Sequence, residues 1–241
     1  MKIKILTLFP EMLKGYFSES IIKRAIDSNI VQIELIDFRK YSTDKHHHVD
    51  DTPYGGGAGM ILRCDIIGNA LKDIKTEYSH TILMTPQGKT YKQRMAKKLT
   101  KEKEIILICG HYEGFDERVR EMVDEEISIG DFVLTGGEAS ALVVVDSIVR
   151  LLDGAIRNES KEDDSFSNGL LEYPQYTRPE VYDGLGVPEV LKNGNHKLIR
   201  EYRLKESLRK TYLRRKDLLR NKKLSKEEEK LLEIVKEEEI G

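Results

Sequence analysis

Three glycine-bearing turns are the segments of this sequence best suited to chemistry. They are TPQGK (Thr85–Lys89), CGHYEGFDERV (Cys109–Val119) and IGDFVLTGGE (Ile129–Glu138), and each follows an apolar stretch. In open α/β sheets, ligands bind beyond the carboxyl ends of the strands, so these turns could line one pocket with backbone N–H and C=O groups. None carries the Gly-x-Gly-x-x-Gly pattern of a pyrophosphate site. The turns therefore favour a nucleoside-like ligand, although turns in such folds also need glycine for geometry alone.

A fourth glycine cluster, in YGGGAG at Gly55–Gly59, raises the question of a phosphate-binding loop. Such a loop needs Lys and then Ser or Thr after its last glycine, whereas Met60 and Ile61 follow here. Two interpretations remain. The cluster is either a tight surface turn or a stretch of backbone that something must approach closely.

Metal-binding patterns are weak in this sequence. His46, His47 and His48 are adjacent, so they cannot all point at one ion from an extended chain, and we predict no metal site there. Cys64 and Cys109 have no metal-ligand spacing and are expected to be free buried thiols. No secretory pattern opens the sequence, and no apolar run is long enough for a membrane span. These features together predict a cytoplasmic protein without a membrane association.

The elements that must position the turns alternate in character along the first half of the chain. Strand-like segments, rich in Ile, Leu and Val, are KIKILTLF, VQIELIDF, TILMTP, EIILICG and EISIGDFVL. Helix-like segments between them are ESIIKRAIDS, CDIIGNALKDIKTE and TYKQRMAKKLT, and a further helix is predicted from Glu138 to about Leu152. This alternation predicts an α/β fold with a mostly parallel sheet.

The second half of the chain has a different composition. We predict three parts: a domain over residues 1–158, a flexible acidic linker over 159–173, and a small α-helical C-terminal domain over 174–241. Three prolines in YPQYTRPEVYDGLGVP are expected to exclude regular structure from that stretch, and Leu204, Leu208 and Tyr212 form one apolar stripe of a later helix.

Charge is distributed unevenly along the chain. The formal net charge is −2, yet residues 187–223 hold 13 Lys and Arg against 4 Asp and Glu. A concentrated basic segment on an otherwise acidic protein is typical of a protein that binds a polyanion. Ordinary pairing along a solvated helix face is the competing explanation.

Five ordered motifs give the sequence a family resemblance. VDDTPYGGGAGM, ICGHYEGFDERV, SIGDFVLTGGE, DSFSNGLLEYPQYTRPEV and GNHKLIREYRLK together resemble the bacterial tRNA (guanine-N1)-methyltransferases, and the resemblance covers nearly the whole chain. That family belongs to the SPOUT class, which implies a deep trefoil knot in the mostly parallel sheet domain. It implies methyl transfer from S-adenosyl-L-methionine to N1 of the guanosine immediately 3′ of the tRNA anticodon. It also implies a homodimer with active sites at the subunit interface.

The resemblance assigns roles to individual residues. Asp164 stands directly before Ser165 and Phe166 in the linker, where the family has its general base, and Arg150 corresponds to the catalytic partner of that base. Without the resemblance, Asp164 would be interpreted as a solvated charge and Arg150 as an i,i+4 partner of Asp146. Glu113 is a candidate contact for Mg²⁺. Departures from the family pattern are Gln175, Thr85 and His111, where His, Ser and Arg are commoner. The residues implied for S-adenosyl-L-methionine are Thr85, Pro86, Gly110, Tyr112, Glu113, Gly114, Ile129, Gly130, Asp131, Phe132, Val133, Leu134, Gly136 and Gly137.

Two other functions remain open at this point. One is a different SPOUT methyltransferase that acts on a ribose 2′-hydroxyl. The other is a non-enzymatic RNA-binding protein, in which the basic helices bind RNA and the glycine turns are structural.

Overall fold

The computed structural model describes residues 1–156 and 164–240 of the chain. By their internal contacts the residues form two compact units, Met1–Arg157 and Asn158–Gly241. The three-part division of the chain stays a prediction, because residues 157–163, which include the start of the predicted linker and Asp163, lie outside the described residues.

The first unit contains a five-stranded sheet in which every strand is parallel to its neighbours, and the predicted mostly parallel α/β fold is confirmed. The strand order is β2-β1-β6-β5-β7. A separate two-stranded antiparallel ribbon pairs β3 with β4. The strands are β1 (Lys2–Thr7), β2 (Gln32–Asp37), β3 (Asp50–Asp51), β4 (Ile61–Leu62), β5 (Ser79–Thr90), β6 (Glu104–Cys109) and β7 (Glu125–Ser128).

Both faces of this sheet are covered, and the central strand β6 is buried at every residue. In β6, Ile105, Leu107 and Cys109 pack into one apolar cluster, and Ile106 and Ile108 pack into the cluster on the opposite face. A strand buried on both faces reads as a continuous apolar run rather than as an alternation, which is the pattern of EIILIC. The covering helices are α1 (Pro10–Phe17), α2 (Ser20–Asp27), α3 (Cys64–Ile74), α4 (Gln93–Leu99) and α5 (Glu138–Val149).

The structure differs from the predicted elements at two places, one helix that was missed and one strand that was predicted too long. Helix α1 was not predicted, because its eight residues include Gly15 and begin with a proline; proline is nevertheless tolerated in a first turn, where its missing N–H has no partner to lose. The fifth strand was predicted over EISIGDFVL, but β7 covers only Glu125–Ser128. The chain leaves the sheet at Ile129, and Gly130 has a φ of +154°. The apolar residues beyond it belong to a loop.

The second unit is mainly helical. Its helices are α6 (His196–Arg214), α7 (Lys216–Arg220) and α8 (Lys226–Ile240), and its small core joins Leu170, Leu208 and Leu231. The described part of the predicted linker contacts α6, since the Leu171 N–H donates to Thr211 Oγ1 at 2.9 Å.

The proline-rich stretch is less irregular than expected, because a short hairpin pairs β8 (Val181–Tyr182) with β9 (Leu185–Gly186). Its turn residues, Asp183 and Gly184, have φ values of +48° and +78°, as a two-residue hairpin turn requires. Among the described residues, no helix is both long enough and apolar enough to cross a lipid bilayer.

Candidate functional site

The three glycine-bearing segments meet at one cavity in the first unit, although TPQGK, which was predicted to be a turn, lies within β5, where the pairing with β7 is irregular between Met84 and Lys89. The cavity lies at the carboxyl ends of β6 and β7 and beside the middle of β5, at Met84–Pro86, where the pairing of β5 with β6 ends. Its wall contains every residue predicted to bind S-adenosyl-L-methionine except Asp131, together with Met84, His111, Phe115, Ile127, Ser128, Thr135 and Ser140. The wall therefore combines many backbone groups with apolar side chains, a composition that suits a planar heterocycle with a polar edge.

Close backbone contacts explain why glycine occupies several positions on this wall. The Gly137 N–H donates to Gly110 O at 2.9 Å, and a Cβ added to Gly137 would lie 2.7 Å from Cys109 Cα. A Cβ on Gly110 would lie 2.5 Å from the Phe115 ring. The segment before α5 therefore packs directly against the end of β6, and a side chain at Gly137 would separate them.

The loop after β7 presents apolar side chains outward. Phe132 and Val133 are 53% and 84% exposed, although both lie on the cavity wall. Leu134 follows them and is also exposed. Neighbouring exposed apolar side chains at the rim of a cavity are typical of a surface that a ligand or another chain covers.

A buried carboxylate lies directly behind the cavity. Glu138, the first residue of α5, is 2% exposed; its Oε1 accepts a hydrogen bond from Thr7 Oγ1 at 2.5 Å, and its Oε2 is 2.7 Å from His111 Nε2. The pKa of the neighbouring Cys109 thiol is raised by burial and, to a smaller extent, by the charge of Glu138. Sequence analysis missed Thr7 and Glu138; the acidic residue that follows Gly-Gly at the start of an apolar helix was the available signal.

The glycine cluster at Gly55–Gly59 serves two purposes. Gly55 and Gly56 have φ values of +85° and +81° with open space around them, so they form the surface turn. Gly59 differs, because a Cβ there would collide with the side chain of Glu113. The Glu113 N–H also donates to Met60 O at 3.0 Å. Both interpretations of the cluster apply, each to different glycines.

No metal-binding cluster accompanies these residues. Within residues 1–156 and 164–240, no group of three or more His, Cys, Asp and Glu side chains is arranged to hold a metal ion. In the histidine segment, His48 Nδ1 pairs with the carboxylate of Asp44, and the rings of His46 and His48 are 5.6 Å apart. The hydrogen bonds lower the pKa of Asp44: first that from the His46 N–H, then that with His48.

The two residues predicted to be catalytic lie in different units. Arg150 follows the last residue of α5, and its N–H donates to Asp146 O at 3.1 Å. The Asp146 carboxylate accepts a hydrogen bond from the Tyr16 hydroxyl at 2.5 Å. Asp164 belongs to the second unit, where its carbonyl accepts a hydrogen bond from the Ser167 N–H at 3.1 Å. Their joint action stays a prediction.

Comparison with known proteins gives a consistent set of relatives. A family model described as tRNA (Guanine-1)-methyltransferase TrmD matches residues 1–221. A curated tRNA (guanine-N(1)-)-methyltransferase of Fusobacterium nucleatum subsp. nucleatum is 55% identical over 241 residues and covers 100% of both chains. A protein of the same name from Dehalococcoides mccartyi is 53% identical, with 99% of this chain and 98% of that protein covered. Another, from Bacillus cereus strain AH820, is also 53% identical, with 98% of this chain and 99% of that protein covered.

Proposed function

The chain belongs to the tRNA (guanine-1)-methyltransferase family, and from this premise we propose that it transfers a methyl group from S-adenosyl-L-methionine to N1 of the guanosine immediately 3′ of the tRNA anticodon. The observation that carries the proposal is the cavity where the three glycine-bearing segments meet, at the carboxyl ends of β6 and β7 and beside Met84–Pro86 of β5. A cytoplasmic location follows from the substrate, since tRNA is used there.

The donor site is assigned to that cavity. At Gly110, Gly130 and Gly137 a Cβ would collide with neighbouring protein atoms, so glycine lets the segments around the cavity pack closely. Exposed backbone N–H and C=O groups can meet the polar edge of an adenine, and the apolar side chains around them can enclose its faces. These features support a nucleoside-type methyl donor at this place.

Chemistry at guanine N1 needs a base, because N1 carries a proton and is a poor nucleophile until the proton leaves. We assign this role to the Asp164 carboxylate, which takes the proton as the N1–methyl bond forms and the sulfur–methyl bond breaks. Deprotonation places negative charge on the ring, chiefly at O6, where the Arg150 guanidinium stabilises it. The target base must leave its stack to expose N1 to these groups. Alignment of the two bound substrates then supplies much of the acceleration.

Asp164 and Arg150 are best explained as residues of one active site shared between two chains. Support for a homodimer comes from the first unit, where Met12 on α1 and Val143 on α5 are 63% and 46% exposed. These two helices contact each other, and the Tyr16–Asp146 hydrogen bond joins them. Exposed apolar side chains on neighbouring helices are suited to burial against a second copy.

A trefoil knot is the fold-level part of the proposal. The knot would require the chain between β7 and α5 to pass through the loop that connects β6 to β7. The contact between Gly137 and the end of β6 supports such a passage, because it brings these two segments within hydrogen-bond distance. A trace of the chain in an experimental structure of the full-length protein tests it.

Binding of tRNA is assigned to the second unit. Residues 187–223 carry 13 basic and 4 acidic side chains, and phosphate contacts from Lys and Arg supply most of the affinity in nonspecific RNA binding. Glu113 is the one residue that we assign to a possible Mg²⁺ contact. One carboxylate can be enough for such a contact, because Mg²⁺ keeps several waters and is commonly bound through one or two carboxylates. We derive no step through it.

The test is mass analysis of unmodified tRNA after incubation with the protein and the donor. Wild type should produce 1-methylguanosine at the position 3′ of the anticodon. Asp164→Asn should lower kcat by roughly 10²- to 10⁴-fold, the usual contribution of a general base. Asp27→Asn, which changes an exposed carboxylate on α2, is the matched control and should retain wild-type activity. A methylated ribose as product, or full activity in Asp164→Asn, would contradict the proposal.

Sharing of the site is tested with two inactive variants. Asp164→Asn and Arg150→Ala are co-expressed, so that mixed dimers form in which one of the two sites retains both residues. Recovery of activity above that of either variant alone is the expected result. A mixture that stays as inactive as its components would exclude a site completed by two chains.

A further inference from the structure

Glu138 is a buried titratable group that the proposed methyl transfer does not use. It lies at the junction of three elements: the end of β1, the turn after β6 and the beginning of α5. A carboxylate that is 2% exposed is costly unless all its acceptor sites find donors. Because Glu138 contacts His111 on the cavity wall, we asked which role of the cavity would require this buried carboxylate.

The direction of its first hydrogen bond is fixed by the neighbouring backbone. Thr7 Oγ1 accepts a hydrogen bond from the Phe9 N–H at 2.9 Å. Its own hydrogen therefore points to Glu138 Oε1, at 2.5 Å. This leaves Glu138 Oε2 to interact with His111 Nε2, at 2.7 Å.

The position of Glu138 suits a carboxylate that accepts hydrogen bonds. As the first residue of α5 it lies at the positive end of the helix dipole, which stabilises a carboxylate. An ionised carboxylate only accepts hydrogen bonds, so His111 Nε2–H is the donor.

His111 is held on two further sides. The ring of Phe9 meets it edge-on, with centroids 4.7 Å apart. On the other side, Gly136 leaves room for the imidazole, since a Cβ there would collide with the Cε1 and Nε2 edge of the ring. His111 thereby fills the space between the turn at residues 110–114 and the segment before α5, and both of these line the cavity.

We propose that Glu138 is a positioning residue for the donor site. Through His111 it fixes the two cavity-lining segments relative to each other, so that the site is formed before the donor arrives. Loss of this contact should weaken donor binding, because part of the binding free energy would then be spent on ordering the cavity. A merely structural glutamate would change the stability of the fold and leave the affinity of the folded protein unchanged. This inference rests on the proposed function, in which the cavity holds S-adenosyl-L-methionine.

The experiment measures binding of S-adenosylhomocysteine to the full-length protein by calorimetry, and of tRNA by filter retention. Glu138→Ala should raise the Kd for S-adenosylhomocysteine roughly 10- to 100-fold, the effect expected for loss of a hydrogen bond to a charged group, with little change in the Kd for tRNA. Glu138→Gln should restore most of the affinity, because its amide accepts from Thr7 and donates to the other tautomer of His111.

Glu104→Gln is the matched control, since Glu104 is also buried, at 7% exposure, but stands at the amino-terminal end of β6. It should lower the thermal midpoint without changing donor affinity. In a double-mutant cycle, Glu138→Ala and His111→Ala should be strongly non-additive, because one acts through the other.

The outcomes separate this inference from the proposed function. Absence of binding to the wild-type protein would overturn both. Binding to wild type with unchanged affinity in folded Glu138→Ala, or additive effects in the cycle, would overturn only the role of Glu138. Should Glu138→Ala fail to fold, His111→Ala decides the question: wild-type affinity for S-adenosylhomocysteine in folded His111→Ala would overturn the role of Glu138, which acts through His111.

Discussion

The two units place their ion pairs differently. In the unit Met1–Arg157, Lys4 Nζ and Glu104 Oε2 are 2.9 Å apart, and these residues are only 6% and 7% exposed. Lys4 also donates to Ile74 O, and Glu104 accepts from Ser79 and Thr76. In the unit Asn158–Gly241, Lys205 lies 2.6 Å from Glu238 at the surface, and Arg209 engages Glu206, Glu238 and Glu239. The first unit therefore contains a desolvated ion pair, whereas these pairs of the second unit keep contact with water.

The same contrast extends to the candidate functions of the two units. The cavity of the first unit is built from backbone groups and apolar side chains, whose positions depend on close packing. The second unit has a small core, formed around Leu170, Leu208 and Leu231, and many charged side chains outside it. Donor binding should therefore respond to packing changes and little to salt, whereas RNA binding should respond to salt.

The largest expected effect comes from breaking the buried ion pair. Lys4→Met leaves Glu104 buried without its charged partner, which should lower the free energy of unfolding by about 3–5 kcal/mol. The corresponding change at the surface, Lys205→Met, should cost about 0–1 kcal/mol. Urea denaturation of both variants measures the difference. Equal losses of unfolding free energy in the two variants would show that the buried pair contributes no more to stability than the surface pair.

Acidification should also lower the free energy of unfolding, because it protonates the Glu104 carboxylate of the buried pair. Burial alone would raise the pKa of Glu104, but hydrogen bonds from Ser79, Lys4 and Thr76 outweigh it, and the pKa lies below its ordinary value of 4.5. The stabilisation is therefore present above pH 4.5 and is lost as the pH falls through the folded-state pKa. In Lys4→Met, the loss of stability on acidification should be smaller than in wild type, as thermal melts between neutral and acid pH would show.

A smaller effect is expected from filling the contact between Gly137 and the end of β6. The φ of Gly137 is −80°, which any residue can adopt, so Gly137→Ala is opposed only by the collision with Cys109 and Gly110. We expect a loss of about 1–3 kcal/mol in unfolding free energy, with weaker donor binding. Gly15→Ala in α1 adds a Cβ into open space and should be neutral or stabilise by up to about 1 kcal/mol. Chemical denaturation and calorimetry of the two variants check this; similar results for both would show that the close approach is unimportant.

The smallest effect concerns one basic side chain of the second unit. Lys197→Gln on α6 should weaken tRNA binding modestly and reduce the log–log salt slope by roughly 0.7–0.9, the value for one phosphate contact. Lys14→Gln on α1, also an exposed lysine, should leave the slope unchanged. The measurement is tRNA affinity at a series of salt concentrations. Equal slopes for all three proteins would remove Lys197 from the RNA-binding surface.

Much of the first unit was predictable from sequence, because its strands are apolar runs bounded by turn residues. EIILICG, for example, indicated β6 almost to the residue. The resemblance also singled out the turns that line the cavity. Prediction was less accurate where apolar residues belong to a loop. Ile129–Leu134 has strand-like composition, yet Phe132 and Val133 lie exposed at the cavity, since composition does not reveal which apolar residues the sheet can accept.

The sequence by itself determined the parallel α/β organisation, the glycine-bearing turns and the concentration of basic residues after Val187, because periodicity, composition and charge are local properties of a chain. Only the tertiary structure brought Thr7, His111 and Glu138 together, although they are separated by up to 131 positions along the chain. It also decided that Gly59 makes room for Glu113 while Gly55 merely turns the chain. Such contacts depend on which segments meet in space, and no local pattern in the sequence encodes that.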